Sequence, residues 1–446
     1  MSKSIVSTCN DNILHQIGAY LRRGWTWRRS PLGPLQTLMT LMQMTLFSAR
    51  GSAAAMQQLF DAVGGECLGW SAVPSDSAFS RARRKSDPRE LQDLHHHLRQ
   101  ECPHIDSHPH LRVNGFTRVI SVDGTKLELS AQGRNKTDFG CPSGDHLAPQ
   151  ALLTLLWDVG GNVPVDWRIG RFDDTENAQL ESLLDALEEG DILLADRLYP
   201  SCALMERMVK TQRDFVFRVK TGCTALRVIA DFAASDANDA VITLPGNNAV
   251  RVRFVRGYRK GSEDVVFATS VIDQNILSSE AVADLYQRRW AVEIAYREGK
   301  DWLALGRLPG RNRHQVEQEV AAVMIYWLLQ GELEGQVRKK YAKEIAQQKP
   351  TEKEGHPPTA REIVEMPVRF NRKIAAIVVG DVVRKGLANR DEAVRIWRAG
   401  VNNIWRHRSR RKPGRSYRRT SQRPHDLKKR DAIARAQARG GREKAN

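Results

Sequence analysis

The sequence predicts an α/β fold in which a mixed sheet forms the core, flanked by a helical N-terminal region and by C-terminal helices with a basic tail. Three observations predict it. Short β-like runs alternate with helical segments between residues 118 and 220, apolar residues recur at helical spacing before and after that region, and the last forty residues are basic and polar. With 446 residues the chain can bury a sizeable core and is long enough for several domains.

The first region, residues 1–110, is predicted to be a helical DNA-binding domain. Residues 34–50 are rich in Leu and Met, and residues 53–63 repeat apolar side chains at helical spacing. Ser75 is a plausible N-cap for the basic helix that follows, and Pro88 begins another helix. A compact helical region with a cationic helix is typical of DNA-binding proteins.

Residues 111–220 form the first part of the predicted catalytic core. Arg118-Val-Ile-Ser-Val-Asp123 is a short β run that ends at an acid and a glycine. The elements predicted after it are a hairpin around Gly160-Gly161-Asn162, a helix over 177–188, a buried strand over 191–196, a helix over about 200–210 and a strand that begins at Phe215. These elements predict a mixed sheet with helical connections.

The boundaries of the remaining regions are predicted where the pattern of apolar and polar residues changes. Three β-like runs predict a β insertion over 221–275, and residues 276–345 form the second part of the core, with a helix that carries Glu293 and a second long helix. Residues 346–405 are predicted to be a C-terminal helical region that follows a polar, proline-containing linker. Residues 406–446 form a basic tail.

Charge is distributed unevenly along the chain. The net charge is +17, and residues 406–446 contain 16 Lys or Arg against 3 Asp or Glu. A cationic tail on a nearly neutral body predicts a polyanionic partner, and the few apolar residues of the tail favour nucleic acid over a membrane. No signal peptide or spanning segment is expected, and the scattered cysteines are typical of a reduced cytoplasmic protein.

One helix carries an unusual row of side chains. At about 100° per residue, Tyr286, Arg289, Glu293, Arg297 and Lys300 lie within a narrow arc, with Ala291, Ala295 and Trp302 opposite. One carboxylate among cations suits a metal ligand flanked by groups that bind phosphate. An ordinary solvated face with helix-spaced ion pairs has the same pattern.

Asp123 and Asp196 each end a predicted strand, and functional groups of α/β sheets gather at the carboxyl ends of strands. Either aspartate alone is also explained as a turn residue. Together with Glu293 they make three hard-oxygen ligands at one edge of the sheet. Three carboxylates can hold two Mg²⁺ ions about 3.5–4 Å apart, the arrangement for in-line phosphoryl transfer.

These motifs carry a family resemblance. Val122-Asp123-Gly124-Thr125, Ala195-Asp196-Arg197-x-Tyr199 and Tyr286-x2-Arg289-x3-Glu293-x6-Lys300 resemble the DDE transposases of the insertion-sequence 4 family, and the last is that family's Tyr-Arg-Glu-Lys signature. The resemblance implies an RNase H-like core with a β insertion before the catalytic Glu. It implies that Asp123, Asp196 and Glu293 are the catalytic metal ligands, and that Tyr286, Arg289 and Lys300 contact phosphate at the element end. The position of Arg297 in the same row makes it a further candidate DNA contact.

The expected function is that of a bacterial DNA transposase, which binds insertion-element ends and catalyses strand cleavage and strand transfer with Mg²⁺, or with Mn²⁺ as a substitute. The expected partners are the terminal inverted repeats, target DNA and a second copy of the chain, and the expected location is the cytoplasm, at the nucleoid. Two alternatives remain: a domesticated DNA-binding protein without catalysis, and an RNase H-fold structure-specific nuclease.

The sequence departs from the family pattern at one place: no Trp lies between Asp196 and Trp290, where some relatives stack a flipped base. Phe254, Tyr258 or Phe267 could substitute, or the hairpin step could differ.

Overall fold

The computed structural model describes twelve stretches of the chain, all of which pack in one compact unit: residues 32–46, 51–107, 111–113, 115–142, 148–221, 227–245, 250–257, 265–306, 308–347, 364–365, 368–385 and 390–410. The predictions for the linker before residue 358 and for the tail beyond Arg410 therefore fall almost wholly outside the described residues. No described helix is both long enough and apolar enough to cross a membrane.

Short helices make up the described part of the N-terminal region, as the sequence predicts. Ser75 caps the fourth of them, its hydroxyl accepting from the Ala78 backbone N–H at 3.3 Å, and Pro88 begins the fifth. A proline at the first helical position loses no intrahelical hydrogen bond. The helices are α1 Pro34–Met44, α2 Ser52–Val63, α3 Gly65–Leu68, α4 Asp76–Arg83, α5 Pro88–Gln100 and α6 Pro103–Ser107.

An eight-stranded mixed sheet follows. Its strands are β2 Arg118–Glu128, β3 Gln150–Asp158, β4 Val163–Arg171, β5 Asp191–Ala195, β6 Asp214–Val219, β7 Asp239–Thr243, β8 Arg251–Gly257 and β9 Val265–Thr269. The order across the sheet is β4-β3-β2-β5-β6-β9-β8-β7. The pairs β2–β5 and β5–β6 are parallel, and all other neighbours are antiparallel. The mixed α/β prediction is confirmed.

The other helices connect and cover the sheet. They are α7 Asn135–Phe139, α8 Glu176–Glu181, α9 Cys202–Lys210, α10 Arg227–Ala234, α11 Ser279–Tyr286, α12 Trp290–Trp302, α13 Arg313–Lys340, α14 Ala342–Ala346, α15 Arg372–Lys385 and α16 Arg390–Arg406, with 3₁₀ turns at Leu184–Ala186 and Gln287–Arg289. Two short strand pairs complete the described elements: β1 Leu111–Arg112 with β10 Val364–Glu365, and β11 Val368–Arg369 with β12 Ser409–Arg410.

Helix α13 is the central helix of the structure. Most of its residues are buried, and it packs against the N-terminal helices, strand β4 and the C-terminal helices. Leu and Val side chains from all these elements join one hydrophobic cluster with it. Helices α8, α9 and α10 contribute to a second cluster on the opposite face of the sheet, where alternate residues of β2 and β5 point.

Three details differ from the sequence predictions. Strand β2 does not end at Asp123 but continues to Glu128, because its antiparallel partner β3 pairs with it along that whole length. The single helix expected from Tyr286 is instead interrupted by the 3₁₀ turn at Gln287–Arg289, which separates α11 from α12. The strands of the 221–275 region extend the main sheet, because β9 pairs directly with β6.

Candidate functional site

Asp123 and Asp196 both lie at one edge of the parallel part of the sheet. Strands β2 and β5 are parallel, and their last paired residues are Ser121 and Leu194. Asp123 and Asp196 each lie two positions beyond these last paired residues, Asp123 still within β2 and Asp196 one residue after the end of β5. Both aspartates therefore lie near the carboxyl end of β5. Asp123 lies in the middle of β2, but at the point where β2 passes the end of β5.

Helix α12 brings Glu293 to the same place through an arginine. Arg289 Nη2 donates to Glu293 Oε1 at 2.5 Å, and Arg289 Nη1 lies 4.0 Å from Asp123 Oδ1. The guanidinium is buried between these two acids and the rings of Tyr286 and Trp290. Arg289 therefore connects the helix that carries Glu293 to the strand that carries Asp123.

Burial and neighbouring charge both act on Asp123. Burial raises the pKa of this carboxyl to about 7; the negative charges of Glu176 and Glu293 act in the same direction, and Arg289 opposes them. The site thus concentrates negative charge around Asp123.

The donor set fits a divalent cation. In the part of the chain that the structure describes, no three His, Cys, Asp or Glu side chains already surround a common metal-binding point. Glu293 is instead paired with Arg289. Asp123, Asp196 and Glu293 offer only carboxylate oxygens, the ligands that Mg²⁺ and Mn²⁺ prefer. With one guanidinium among three acids, a divalent cation would balance the charge once Glu293 leaves Arg289.

The row of side chains predicted on one helix is not uniformly exposed. Tyr286 is buried, with its ring 4.9 Å from that of Phe267, and Arg289 is buried as well. Only Arg297 and Lys300 are exposed. Lys300 Nζ lies 2.8 Å from Thr125 Oγ1, beside the stretch of β2 that extends beyond Asp123. The alternative explanation, an ordinary solvated face, does not hold for Tyr286 and Arg289, because α11 packs onto the sheet.

Three further residues adjoin the site. The Tyr296 hydroxyl donates to the Asp123 carbonyl at 2.8 Å, and the Tyr199 hydroxyl donates to Glu176 Oε2 at 2.6 Å. Glu176 begins α8 and packs against Gly124. Tyr199 belongs to a motif noted in the sequence, but Glu176 and Tyr296 stand in no pattern that sequence analysis could have used.

The aromatic residues considered as a base-stacking substitute are not on an open surface. Phe254 and Phe267 are both buried in the sheet, and Tyr258 lies outside the described residues. Neither phenylalanine can stack on a base in this conformation.

The basic helix α4 presents only part of its charge outward. Arg83 is buried, 2.9 Å from Glu319 on α13, and it also donates to Gln318 Oε1 at 3.0 Å. Arg81 and Arg84 are exposed. Arg83 therefore does not face solvent, and the prediction that this helix contacts DNA rests on its other residues.

Comparison with known proteins gives this geometry a context. Residues 114–329 match the family model described as "Transposase DDE domain", a range that contains every candidate site residue named above. The chain is 23% identical over 274 residues to Transposase InsG for insertion sequence element IS4 of Escherichia coli, covering 57% of this chain and 60% of that one. It is 27% identical over 156 residues to the probable transposase for insertion sequence element IS5377 of Geobacillus stearothermophilus, covering 33% and 41%. The chain thus spans less than two thirds of the length of either relative.

A solved structure, the cryo-EM piggyBac transposase synaptic complex with hairpin DNA, is similar at a TM-score of 0.42 and 12% identity, covering 94% of this chain and 85% of that one. That likeness is too low to add to the argument. The family model and the curated relatives confirm the resemblance that the sequence motifs indicate. Residues 114–329 of this chain thus match the transposase DDE domain, and the curated relatives are transposases of insertion elements, that of IS4 among them.

Proposed function

We propose that this protein is a DNA transposase that binds insertion-element ends and catalyses metal-dependent strand cleavage and strand transfer. The observation that carries the proposal is the position of Asp123 and Asp196 just beyond the last paired residues of β2 and β5, with Glu293 connected to Asp123 through Arg289. The position of this cluster inside a transposase DDE domain supports it.

The core is proposed to be RNase H-like. Three antiparallel strands followed by two parallel strands, with the first strand in the middle of the five, support this assignment. In the proposed organisation, residues 1–110 bind DNA, 111–220 and 276–345 form the catalytic core around the β insertion at 221–275, and the helices of 346–405 and the tail at 406–446 follow.

Asp123, Asp196 and Glu293 are proposed to hold Mg²⁺, with Mn²⁺ as a substitute. Ions bound there would lower the pKa of the attacking water or 3′-hydroxyl and stabilise the leaving oxygen. Arg289 holds Glu293 Oε1, and a guanidinium released from this bond would be available for a phosphate. Tyr286, Lys300 and Arg297 are the other proposed DNA contacts.

The proposed partners are the terminal inverted repeats, target DNA and a second copy of the chain in a synaptic dimer, at the nucleoid of a bacterial cytoplasm. The similarity to transposases of insertion elements supports the DNA partner. The excess of positive charge in the tail supports it as well.

The test is cleavage of a labelled DNA fragment that carries the flanking element end, with Mg²⁺, by the full-length protein. Wild type is expected to nick at the element boundary, whereas Glu293→Ala binds the fragment without cutting it. Glu280→Ala, which removes an exposed carboxylate on α11, is the matched control and should cut normally.

Two results would contradict the proposal. Binding without cleavage by wild type, even with Mn²⁺, would identify a DNA-binding protein on a retired catalytic fold. Cleavage of branched DNA without any preference for the element end would identify a structure-specific nuclease.

A further inference from the structure

A hydrogen bond on the opposite face of the sheet joins the segment that carries Asp196 to the start of α8, which packs against β2 next to Asp123. The Tyr199 hydroxyl donates to Glu176 Oε2 at 2.6 Å. Tyr199 follows Asp196 by three residues, and its ring is 1% exposed in the hydrophobic cluster beneath β2 and β5. Burial raises the pKa of Tyr199, and the nearby charge of Glu176 adds to that shift, so the hydroxyl keeps its proton and remains a donor.

Glu176 fills the space directly behind the residue that follows Asp123. A Cβ built on Gly124 would lie 2.4 Å from Glu176 Cδ, so only a glycine lets the carboxylate approach β2 this closely. The neighbouring Asn177 donates through Nδ2 to the Leu198 carbonyl at 3.1 Å. The start of α8 therefore touches β2 on one side and the turn after β5 on the other.

The turn after β5 is itself held to Asp196. The Leu198 backbone N–H donates to Asp196 Oδ1 at 2.7 Å, and the Tyr199 N–H donates to the Asp196 carbonyl at 3.2 Å. Because of these two hydrogen bonds, the position of the Asp196 carboxylate depends on the position of the Tyr199 ring.

The parallel pairing of β2 with β5 ends before the aspartates. The last paired residues are Ser121 and Leu194, so no ladder pairing between these two strands spans Asp123 and Asp196. We propose that Glu176 and Tyr199 are positioning residues that replace this missing pairing and set the separation of Asp123 and Asp196 for a shared divalent cation. The inference rests on the proposed function, whose metal site it supports.

The experiment is titration of full-length protein with Mn²⁺ by calorimetry, without DNA. Tyr199→Phe removes only the hydroxyl and is expected to weaken Mn²⁺ binding by about tenfold, the lower end of the effect of losing a residue that orients metal ligands. The matched control is Tyr326→Phe, which removes another buried hydroxyl, bonded to the Ala376 carbonyl far from the site in sequence. It should bind Mn²⁺ as wild type does.

A double-mutant cycle separates positioning from a general loss of stability. Glu176→Ala should also weaken Mn²⁺ binding by about tenfold, and Tyr199→Phe/Glu176→Ala should be no weaker than either single variant, because both remove the same contact. Equal affinity in Tyr199→Phe and Tyr326→Phe would overturn the inference, as would additive losses in the double variant. If Asp123→Asn leaves Mn²⁺ binding unchanged, the proposed metal site itself fails, independently of the role of Glu176.

Discussion

Arg289 lies between two of the three acids proposed to bind metal: its guanidinium contacts Glu293 at 2.5 Å and lies 4.0 Å from Asp123. Without a metal, this one positive charge partly balances the carboxylates that face it. A divalent cation and the guanidinium therefore compete for Glu293, and the phosphate of a bound DNA end would draw Arg289 away from it. We therefore expect metal binding and DNA binding at this site to be coupled through Arg289.

Replacing Arg289 should change metal affinity and DNA affinity in opposite directions. Arg289→Ala leaves the acids without their cation, so Mn²⁺ should bind severalfold more tightly in calorimetry, whereas DNA should bind more weakly and with a salt slope smaller by about 1. Arg297→Ala, which removes an exposed arginine two turns along the same chain segment, serves as the control and should leave Mn²⁺ affinity unchanged. Weaker Mn²⁺ binding by Arg289→Ala would show that the arginine supports the metal site instead of competing for it.

Lys300 should contribute to DNA affinity but not to sequence specificity. Its Nζ is exposed and held 2.8 Å from Thr125 Oγ1 and 3.1 Å from the Lys126 carbonyl, so the ammonium is positioned at the edge of the site. Lys300→Met should lower affinity for element-end and unrelated DNA alike and reduce the salt slope by about 1, measured by fluorescence anisotropy over a salt series. Thr125→Val keeps the charge and should have a smaller effect. A loss confined to the element end would contradict a phosphate contact.

Gly124 should not tolerate a side chain while Glu176 is in place. The added Cβ of Gly124→Ala lies 2.4 Å from Glu176 Cδ, which forces the carboxylate away from its position. The expected cost is about 1–3 kcal/mol in the free energy of unfolding, measured in urea. Glu176→Ala in the same chain should recover much of that loss by removing the clash. If the double variant is less stable than Gly124→Ala, the contact is not the source of the strain.

The stability of the β7–β8 hairpin should depend on the buried Arg253 and, through its partner Asp239, on pH. Arg253 is fully buried, pairs with Asp239 and donates to the Leu277 carbonyl at 2.6 Å, which ties the hairpin to the start of α11. Removing a buried ionic partner leaves the other uncompensated, so Arg253→Ala should cost roughly 3 kcal/mol or more. Burial alone would raise the pKa of Asp239, but the hydrogen bonds from Arg253 and Ser279 hold it below its usual range.

A depressed folded-state pKa means that Asp239 stabilises the protein above the unfolded pKa near 4 and loses this contribution as pH falls through the lower, folded value. Asp239→Asn should therefore be less stable than wild type at pH 7, and the gap in urea unfolding should narrow below pH 4. A gap that stays constant across this range would mean that the charge of Asp239 does not matter.

Much of the fold follows from local patterns that the sequence contains. The cap at Ser75, the helix start at Pro88, the hairpin before Val163 and the buried strand over Asp191–Ala195 all lie where local propensity and apolar periodicity predict them. These features depend on neighbours within a few residues, which a single sequence displays directly.

The extent of β2 and the break between α11 and α12 could not be predicted in the same way. A glycine after Asp123 indicates a turn, but pairing with β3, which lies more than twenty residues away, keeps the chain extended. The residues from Tyr286 onward have uniform helical propensity, and packing of Tyr286 on Phe267 is visible only in three dimensions. Tertiary contacts override local preference at both places.

For the candidate site, the sequence by itself determined the three acids and the spacing of the cations around Glu293, because motif residues and their intervals are properties of the linear chain. Only the tertiary structure decided that Asp123 and Asp196 both lie just beyond the paired ends of β2 and β5, that Arg289 is buried beside Asp123, and that Glu176 contacts Tyr199 behind Gly124. Strand register and packing join residues that are 20 to 170 positions apart, and such contacts leave no local periodicity for a single sequence to display.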